Sequence, residues 1–286
     1  MSRVATEESL LNEVLAAFAS TPEERLRYLM ATLVRRLHEF VSEVKLTEEE
    51  WMATIQFLTA VGKACTESRQ EFILLSDILG VSSLVDRMNY GGLAGSTENT
   101  LLGPFYQLGS PKRANGDSLI ETSDPGARLH VSGVVRSLDG APLASATLDV
   151  WQTASNGLYA QQDSGQDPNN LRGVFTTDAQ GRYEFLTVRP VDYPVPVDGP
   201  VGKLLDAARR QPVRPAHVHI IVTAPGHHTL VTHFFDSESP RLDSDPVFGV
   251  RDSLVRRFEK RPDGSLTTTF DVTLTPVGAA VGAGRG

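Results

Sequence analysis

Gly173-Val174-Phe175-Thr176-Thr177-Asp178-Ala179-Gln180-Gly181-Arg182-Tyr183-Glu184-Phe185-Leu186-Thr187 is the stretch that decides the architecture of this chain. Residues 173–177 read as a strand, Asp178-Ala179-Gln180-Gly181 as a turn, and residues 182–187 as a second strand. Working upstream, residues 147–151 are strand-like, Leu138-Asp139-Gly140-Ala141 is another turn signal, and residues 129–136 form a further strand. Downstream, residues 220–223, 230–235 and 267–274 complete the set. Short strands divided by turns predict an antiparallel β-sandwich that begins near Ala127.

The first third of the chain has a different period. Thr21-Pro22-Glu23-Glu24 has the form of a capping box with proline at the first helical position. Leu26, Leu29, Met30, Leu33, Leu37, Phe40, Val41 and Val44 follow at helical spacing. Thr47-Glu48-Glu49-Glu50 is a second capping box, opening a helix that sends Trp51, Ile55, Leu58 and Val61 toward a core. A third apolar stretch covers residues 72–79 and stops near Gly80. Such stripes suit helix packing, and a wide apolar face also suits a dimer or a bound lipid. Residues 101–124 are rich in Gly, Pro and Ser and read as a loop linker. The expected fold class is therefore α+β, with a helical domain over residues 1–105 and an antiparallel β-sandwich over residues 106–286. The small, Gly-rich tail over residues 277–286 is expected to be disordered.

Composition narrows the function classes. The net charge is −8 and no basic stripe is present, which argues against nucleic acid as a partner. The single cysteine, Cys65, cannot form an intrachain disulfide; it reads as a core residue of a helix and fits a reducing, cytoplasmic setting. The first residues include Glu7 and Glu8 and show no signal-peptide pattern. No apolar run has membrane-spanning length.

Chemistry concentrates in Arg214-Pro215-Ala216-His217-Val218-His219. On a strand, side chains alternate, so His217 and His219 share one face and two imidazoles there can grip one metal ion. The alternative is a pair of satisfied strand histidines. Asn156-Gly157-Leu158-Tyr159 places a tyrosine in a loop, and Arg189-Pro190-Val191-Asp192-Tyr193-Pro194-Val195-Pro196 places another in a proline-stiffened one. Each tyrosine also fits ordinary packing with its hydroxyl hydrogen-bonded. If both joined the histidines, the set would be two nitrogens and two phenolate oxygens. Phenols titrate near 10, so such a set calls for a strong Lewis acid, and ferric iron suits it better than zinc. His227 and His228 follow a turn and read as surface residues. His233 lies on a strand and either lines the same cavity or is simply buried.

The chain resembles the intradiol ring-cleavage dioxygenases of the catechol 1,2-dioxygenase and hydroxyquinol 1,2-dioxygenase group. The matching residues are Leu102-Gly103-Pro104-Phe105-Tyr106, Leu148-Asp149-Val150-Trp151-Gln152, Gly157-Leu158-Tyr159, Arg172-Gly173, Tyr193-Pro194-Val195-Pro196, Asp198-Gly199-Pro200 and Arg214 through His219. The resemblance covers nearly the whole chain. It implies one non-haem Fe(III) per subunit, held by Tyr159, Tyr193, His217 and His219. Tyr193 and His219 would be axial; Tyr159, His217 and a hydroxide would be equatorial. It implies a small aromatic diol and O2 as substrates, a homodimer built through the N-terminal helices, and a phospholipid at the dimer seam. Tyr193 would accept a substrate proton, and Arg214 would stabilise charge developing on the ring, unless Arg214 is an ordinary ion-pair partner.

The family's pocket maps onto Leu74, Asp77, Leu101, Leu102, Gly103, Pro104, Phe105, Val195, Pro196 and Val247, with Arg214. Asp77 interrupts an apolar stretch, and a buried carboxylate needs a partner. A third ring hydroxyl, as in hydroxyquinol (1,2,4-trihydroxybenzene), would supply one; capping of a local helix by Ser76 or Asp77 is the alternative. His233 stands where a catechol 1,2-dioxygenase is expected to carry glutamine. Hydroxyquinol is the expected substrate, opened to 3-hydroxy-cis,cis-muconate and thence maleylacetate in aromatic catabolism. Catechol or a chlorocatechol is the runner-up, and a transthyretin-like, non-catalytic binding module is the alternative of another class.

Overall fold

The computed structural model describes residues 6–66, 69–90 and 94–278. The part of the Gly-rich tail from residue 279 onward lies outside them. By compactness the chain divides into Met1–Thr59 and Ala60–Gly286, so the division falls well before residue 105, where the composition changes.

The first unit holds α1 (Glu7–Phe18), α2 (Glu24–Val44) and the start of α3 (Glu48–Ala64). α1 opens with Thr6 and Ser9, each hydroxyl accepting the other's backbone N–H. α2 begins later than its sequence suggests. Its N-cap is Glu23, whose carboxylate accepts the N–H groups of Arg25 and Leu26; Thr21 and Pro22 stand outside the helix. A carboxylate there satisfies free donors and also complements the positive end of the helix dipole. α3 opens as expected, with Thr47 N–H donating to Glu50 (2.9 Å) and Glu50 N–H to the Thr47 hydroxyl (3.2 Å). The apolar stripes do not build a core as expected. Leu33, Leu37 and Phe40 are 50–53 % exposed and Trp51 is 51 % exposed, with Ile55 and Leu58 also exposed.

The second unit begins with the end of α3, where Val61 is fully buried. Cys65 is half-buried rather than part of the core. α4 (Glu71–Ile78) buries Leu74, Leu75 and Ile78 and stops at Gly80, which takes φ +72°. α5 (Val81–Tyr90) follows. The strands are β1 (Arg128–Ser137), β2 (Thr147–Trp151), β3 (Arg172–Thr176), β4 (Arg182–Val188), β5 (Tyr193–Pro194), β6 (Val213–Arg214), β7 (His217–Thr223), β8 (Leu230–Asp236), β9 (Val255–Arg256), β10 (Glu259–Lys260), β11 (Leu266–Thr269) and β12 (Val272–Leu274), with α6 (Pro200–Ala207) between β5 and β6. One five-stranded sheet runs β10-β11-β1-β12 with β4 also paired to β1; the other runs β3-β2-β7-β8-β9. Leu129, Val131, Tyr183 and Phe185 of the first sheet share one core with Leu148, Val150, Phe175, Val218, Ile220 and Phe234 of the second. Burying each such side chain stabilises the fold by about 1.5–3 kcal/mol before entropy is counted.

The sandwich is mixed, not purely antiparallel: β1 runs parallel to β11 and β12, and β8 to β9. The turn at 178–181 does not close a hairpin. β3 pairs with β2 and β4 with β1, so the turn carries the chain from one sheet to the other. The stretch 267–274 is two strands, broken at Phe270-Asp271, where Phe270 donates to the Ser132 carbonyl (2.9 Å) and Asp271 accepts from Val134 (2.9 Å). A Cβ on Gly133 would stand 2.1 Å from the Phe270 carbonyl oxygen, so only glycine permits this crossing. Residues 101–124 are irregular but fastened to the sheets: Arg113 donates to Val174 (2.9 Å), Leu119 to Leu186 (2.8 Å), and Leu119 is fully buried. Among the described residues no helix is long and apolar enough to cross a membrane.

Candidate metal centre

Val218, Ile220 and Val222 belong to the shared core, which leaves His217 and His219 on the opposite face of β7. Register brings Trp151 of β2 and His233 of β8 opposite His219. The Trp151 ring stacks on His219 at 4.6 Å and 12°. Tyr193 stands opposite Arg214 in the β5–β6 ribbon. The ribbon is tied down by Asp192, whose Oδ1 accepts from Ala216 N–H (2.8 Å) and Ser239 Oγ (2.6 Å). Tyr159 follows a turn in which Gly157 takes φ +79°; a Cβ there would lie 3.3 Å from Tyr193 Cβ, so the glycine lets the two tyrosine loops meet. Phe105 stacks on Tyr159 at 4.7 Å.

The four side chains converge. Tyr159 Oη is 2.8 Å from Tyr193 Oη, which is 3.2 Å from His217 Nε2, which is 3.1 Å from His219 Nε2, which is 3.1 Å from Tyr159 Oη. None is more than 4 % exposed. Burial, and then the neighbouring Tyr193, push the Tyr159 phenol well above its ordinary value; burial also raises Tyr193, against the pull of Arg214. Burial, reinforced by Arg214, holds His217 well below the usual imidazole value, and burial with His217 does the same for His219. The neutral imidazole is the form that binds metals. Four donors placed about 2.0–2.1 Å from one shared centre stand about 2.8–3.4 Å from their neighbours, which the observed spacing meets. Two buried phenols give up protons only to a strongly charged cation. The donor set therefore fits a metal ion, and a trivalent one best.

The nitrogens of His217, His219 and His233 also lie within 4.8 Å of one another, compatible with a metal. Yet His233 Nε2 meets His219 at Nδ1 (2.6 Å), on the side of the ring away from the two tyrosines. His227 and His228 lie apart, in the turn after β7, half-buried. Arg214 is 3 % exposed and faces Asp245 (Nε–Oδ1 3.2 Å, Nη2–Oδ2 3.5 Å), while Nη1 donates to His217 Nε2 (3.1 Å). Burial opposes its charge, but Asp245 and the two tyrosines raise its pKa overall. Asp245 also accepts from Gly249 N–H (2.9 Å), coupling Arg214 to the loop that carries Val247.

Of the expected pocket residues, Asp77, Leu101, Leu102 and Gly103 line one cavity together with Ile73 and Val85. Gly103, at φ +75°, would place a Cβ 3.3 Å from His219 Cε1, which joins that cavity to the four donors. Leu74, Phe105, Val195 and Val247 are buried, and Pro104 and Pro196 are half-buried. Asp77 sits inside the last turn of α4, whose caps are Gln70 and Leu79, so it closes neither end of that helix. Burial pushes its carboxyl up to about 6, against the opposing pull of Ser82 and Arg214. Asp245 and Asp192 carry no motif; only the demand of a buried arginine for a carboxylate hints at the first.

Known proteins match both parts of the chain. The family described as "Dioxygenase" matches residues 101–276, and "Catechol dioxygenase N terminus" matches residues 23–97. A hydroxyquinol 1,2-dioxygenase from a Rhizobium species is 47 % identical over 258 residues, covering 90 % of this chain and 87 % of its own. A 6-chlorohydroxyquinol 1,2-dioxygenase from Cupriavidus pinatubonensis is 44 % identical, covering 94 % and 98 %. The crystal structure of a hydroxyquinol 1,2-dioxygenase from Pseudomonas putida superposes with a TM-score of 0.86 at 44 % identity, covering 94 % of this chain and 98 % of that one. Matched along nearly its whole length at this identity, the chain belongs to the intradiol ring-cleavage dioxygenases.

Proposed function

We propose that the protein is a hydroxyquinol 1,2-dioxygenase that opens 1,2,4-trihydroxybenzene with O2 to 3-hydroxy-cis,cis-muconate, which tautomerises to maleylacetate. The observation that carries this reading is the convergence of Tyr159, Tyr193, His217 and His219 on one buried point beside a cavity lined by Asp77. These four residues would hold one Fe(III) per subunit. That ion, when bound, would make a coordinated diol electron-rich enough to react with O2.

The chain's own residues supply the rest. Tyr193, a phenolate while it serves as a ligand, would on release take a proton from a substrate hydroxyl, because burial gives its oxygen a high proton affinity. Arg214, held charged by Asp245, would stabilise negative charge spreading into the ring. Asp77 would accept a hydrogen bond from the third hydroxyl, with Leu74, Leu101, Leu102, Gly103, Pro104, Phe105, Val195, Pro196 and Val247 forming the apolar surround. Both atoms of O2 enter the product. The relatives named for hydroxyquinol and its chlorinated form favour this substrate over catechol and over a non-catalytic binding module.

Residues 1–105 would serve dimerisation and residues 106–286 catalysis. The exposed apolar stripe of α2 supports the dimer, and the groove lined by Leu10, Val14, Val34, Leu37, Val41 and Leu46 supports a lipid there. A single cysteine suits the cytoplasm. Visible absorption tests the centre. Phenolate-to-Fe(III) charge transfer should colour the iron-loaded protein, and Tyr159→Phe should shift or weaken the band. An unchanged spectrum would remove Tyr159 from the ligand set.

A further inference from the structure

The two histidines of the donor cluster are fastened in different ways. His217 Nδ1 lies 2.6 Å from the Pro215 carbonyl oxygen. A carbonyl only accepts, so Nδ1 carries the proton and Nε2 turns its lone pair to the cluster. His219 Nδ1 lies 2.6 Å from His233 Nε2, an atom that accepts in one tautomer and donates in the other. We propose that His233 is a positioning residue, selecting by its own tautomer which nitrogen of His219 binds the metal; this rests on the reading of the cluster as an iron centre.

With the proton on His233 Nε2, His219 Nδ1 must accept, and the His219 proton sits on Nε2, pointing at Tyr159 Oη (3.1 Å). That blocks ligation. With the proton on His233 Nδ1, its Nε2 accepts from His219 Nδ1–H, and His219 Nε2 is open to a cation. Passing from one to the other moves one proton within each ring and leaves the total unchanged. Both imidazoles are fully inside the protein, and two ring nitrogens 2.6 Å apart share one proton, so one ring donates and the other accepts.

A second observation shows the cost of the competent arrangement. His233 Nδ1 is buried and has no hydrogen-bond partner among the described residues. Its surroundings are the rings of His217, His219 and Phe235. A lone pair tolerates such a place better than an N–H does. The chain alone thus leans toward the arrangement that blocks ligation, and a metal at His219 Nε2 draws both rings into the other. With Trp151 stacked on its face, His219 has little freedom except this tautomeric one.

The test compares the full-length wild type with His233→Gln and His233→Leu, each loaded with Fe(III). Glutamine can accept from His219 Nδ1–H; leucine cannot. Competition with a chelator should show the leucine variant losing ~10–100-fold in iron affinity, with a weakened visible band, while glutamine holds wild-type affinity. A leucine variant with wild-type circular dichroism and wild-type affinity overturns the proposal. If leucine prevents folding, long-range 15N spectra of the wild type loaded with Ga(III) decide: protons on Nδ1 of both His219 and His233 support it, and a proton on His233 Nε2 overturns it. Failure of the wild type to bind either ion would instead overturn the iron-centre reading beneath it.

Discussion

Asp77 concentrates the question of substrate choice in one side chain. A hydrogen bond to a buried carboxylate contributes about 1.5–3 kcal/mol. Asp77→Ala should therefore lower kcat/KM for hydroxyquinol roughly 10- to 100-fold more than for catechol. An equal loss on both substrates would remove Asp77 from recognition. The pH dependence has a definite sign. With its carboxyl raised to about 6, Asp77 is the stronger, charged acceptor only above that pH, so preference for hydroxyquinol should rise as pH climbs through 6. Arg214, Asp245 and Ser82 act on it, and none reverses that sign. For stability the sign is opposite. The native state holds this proton where the unfolded chain has released it, so the contribution of Asp77 falls between about pH 4 and pH 6 and is level above. The sequence exposes His217 and His219 as a pair because strand alternation is fixed. It cannot expose Asp245, which meets Arg214 from 31 positions away through loops with no periodic signal.

Elements were legible wherever local chemistry sets them. The Thr47–Glu50 box starts α3 as read, and Gly80 ends α4. Pairing between elements was not legible, because it depends on what each strand buries. The turn at 178–181 reads locally like a hairpin, yet Phe175 and Phe185 meet across the core from different sheets, stacked at 5.2 Å. The break in the last strand is likewise set by Gly133, more than a hundred residues earlier in the chain. Gly133→Ala should cost about 3 kcal/mol, read as a lower denaturation midpoint, since the Phe270 carbonyl must yield to the new methyl group. A wild-type midpoint would show that the crossing has room to spare.

Across the molecule, the apolar residues missing from the core would form the seam of the proposed dimer. Leu26, Met30, Leu33, Leu37, Phe40 and Val44 recur at alternating spacings of four and three, the pattern of helices that pack on one another. Sequence periodicity reveals such a stripe but not which surface it meets. Sedimentation of the wild type should give twice the chain mass, and the Leu33→Glu/Leu37→Glu double variant should give the single mass. A monomeric wild type would contradict the dimer. Oxygen uptake by the iron-loaded protein, with hydroxyquinol and catechol side by side, reads the ring-opening chemistry and the substrate preference together. Rapid consumption of one O2 per hydroxyquinol, with little on catechol, is the predicted result. Preference for catechol would keep the ring-opening chemistry and contradict the role given to Asp77, and no uptake on either substrate despite bound iron would contradict the account as a whole.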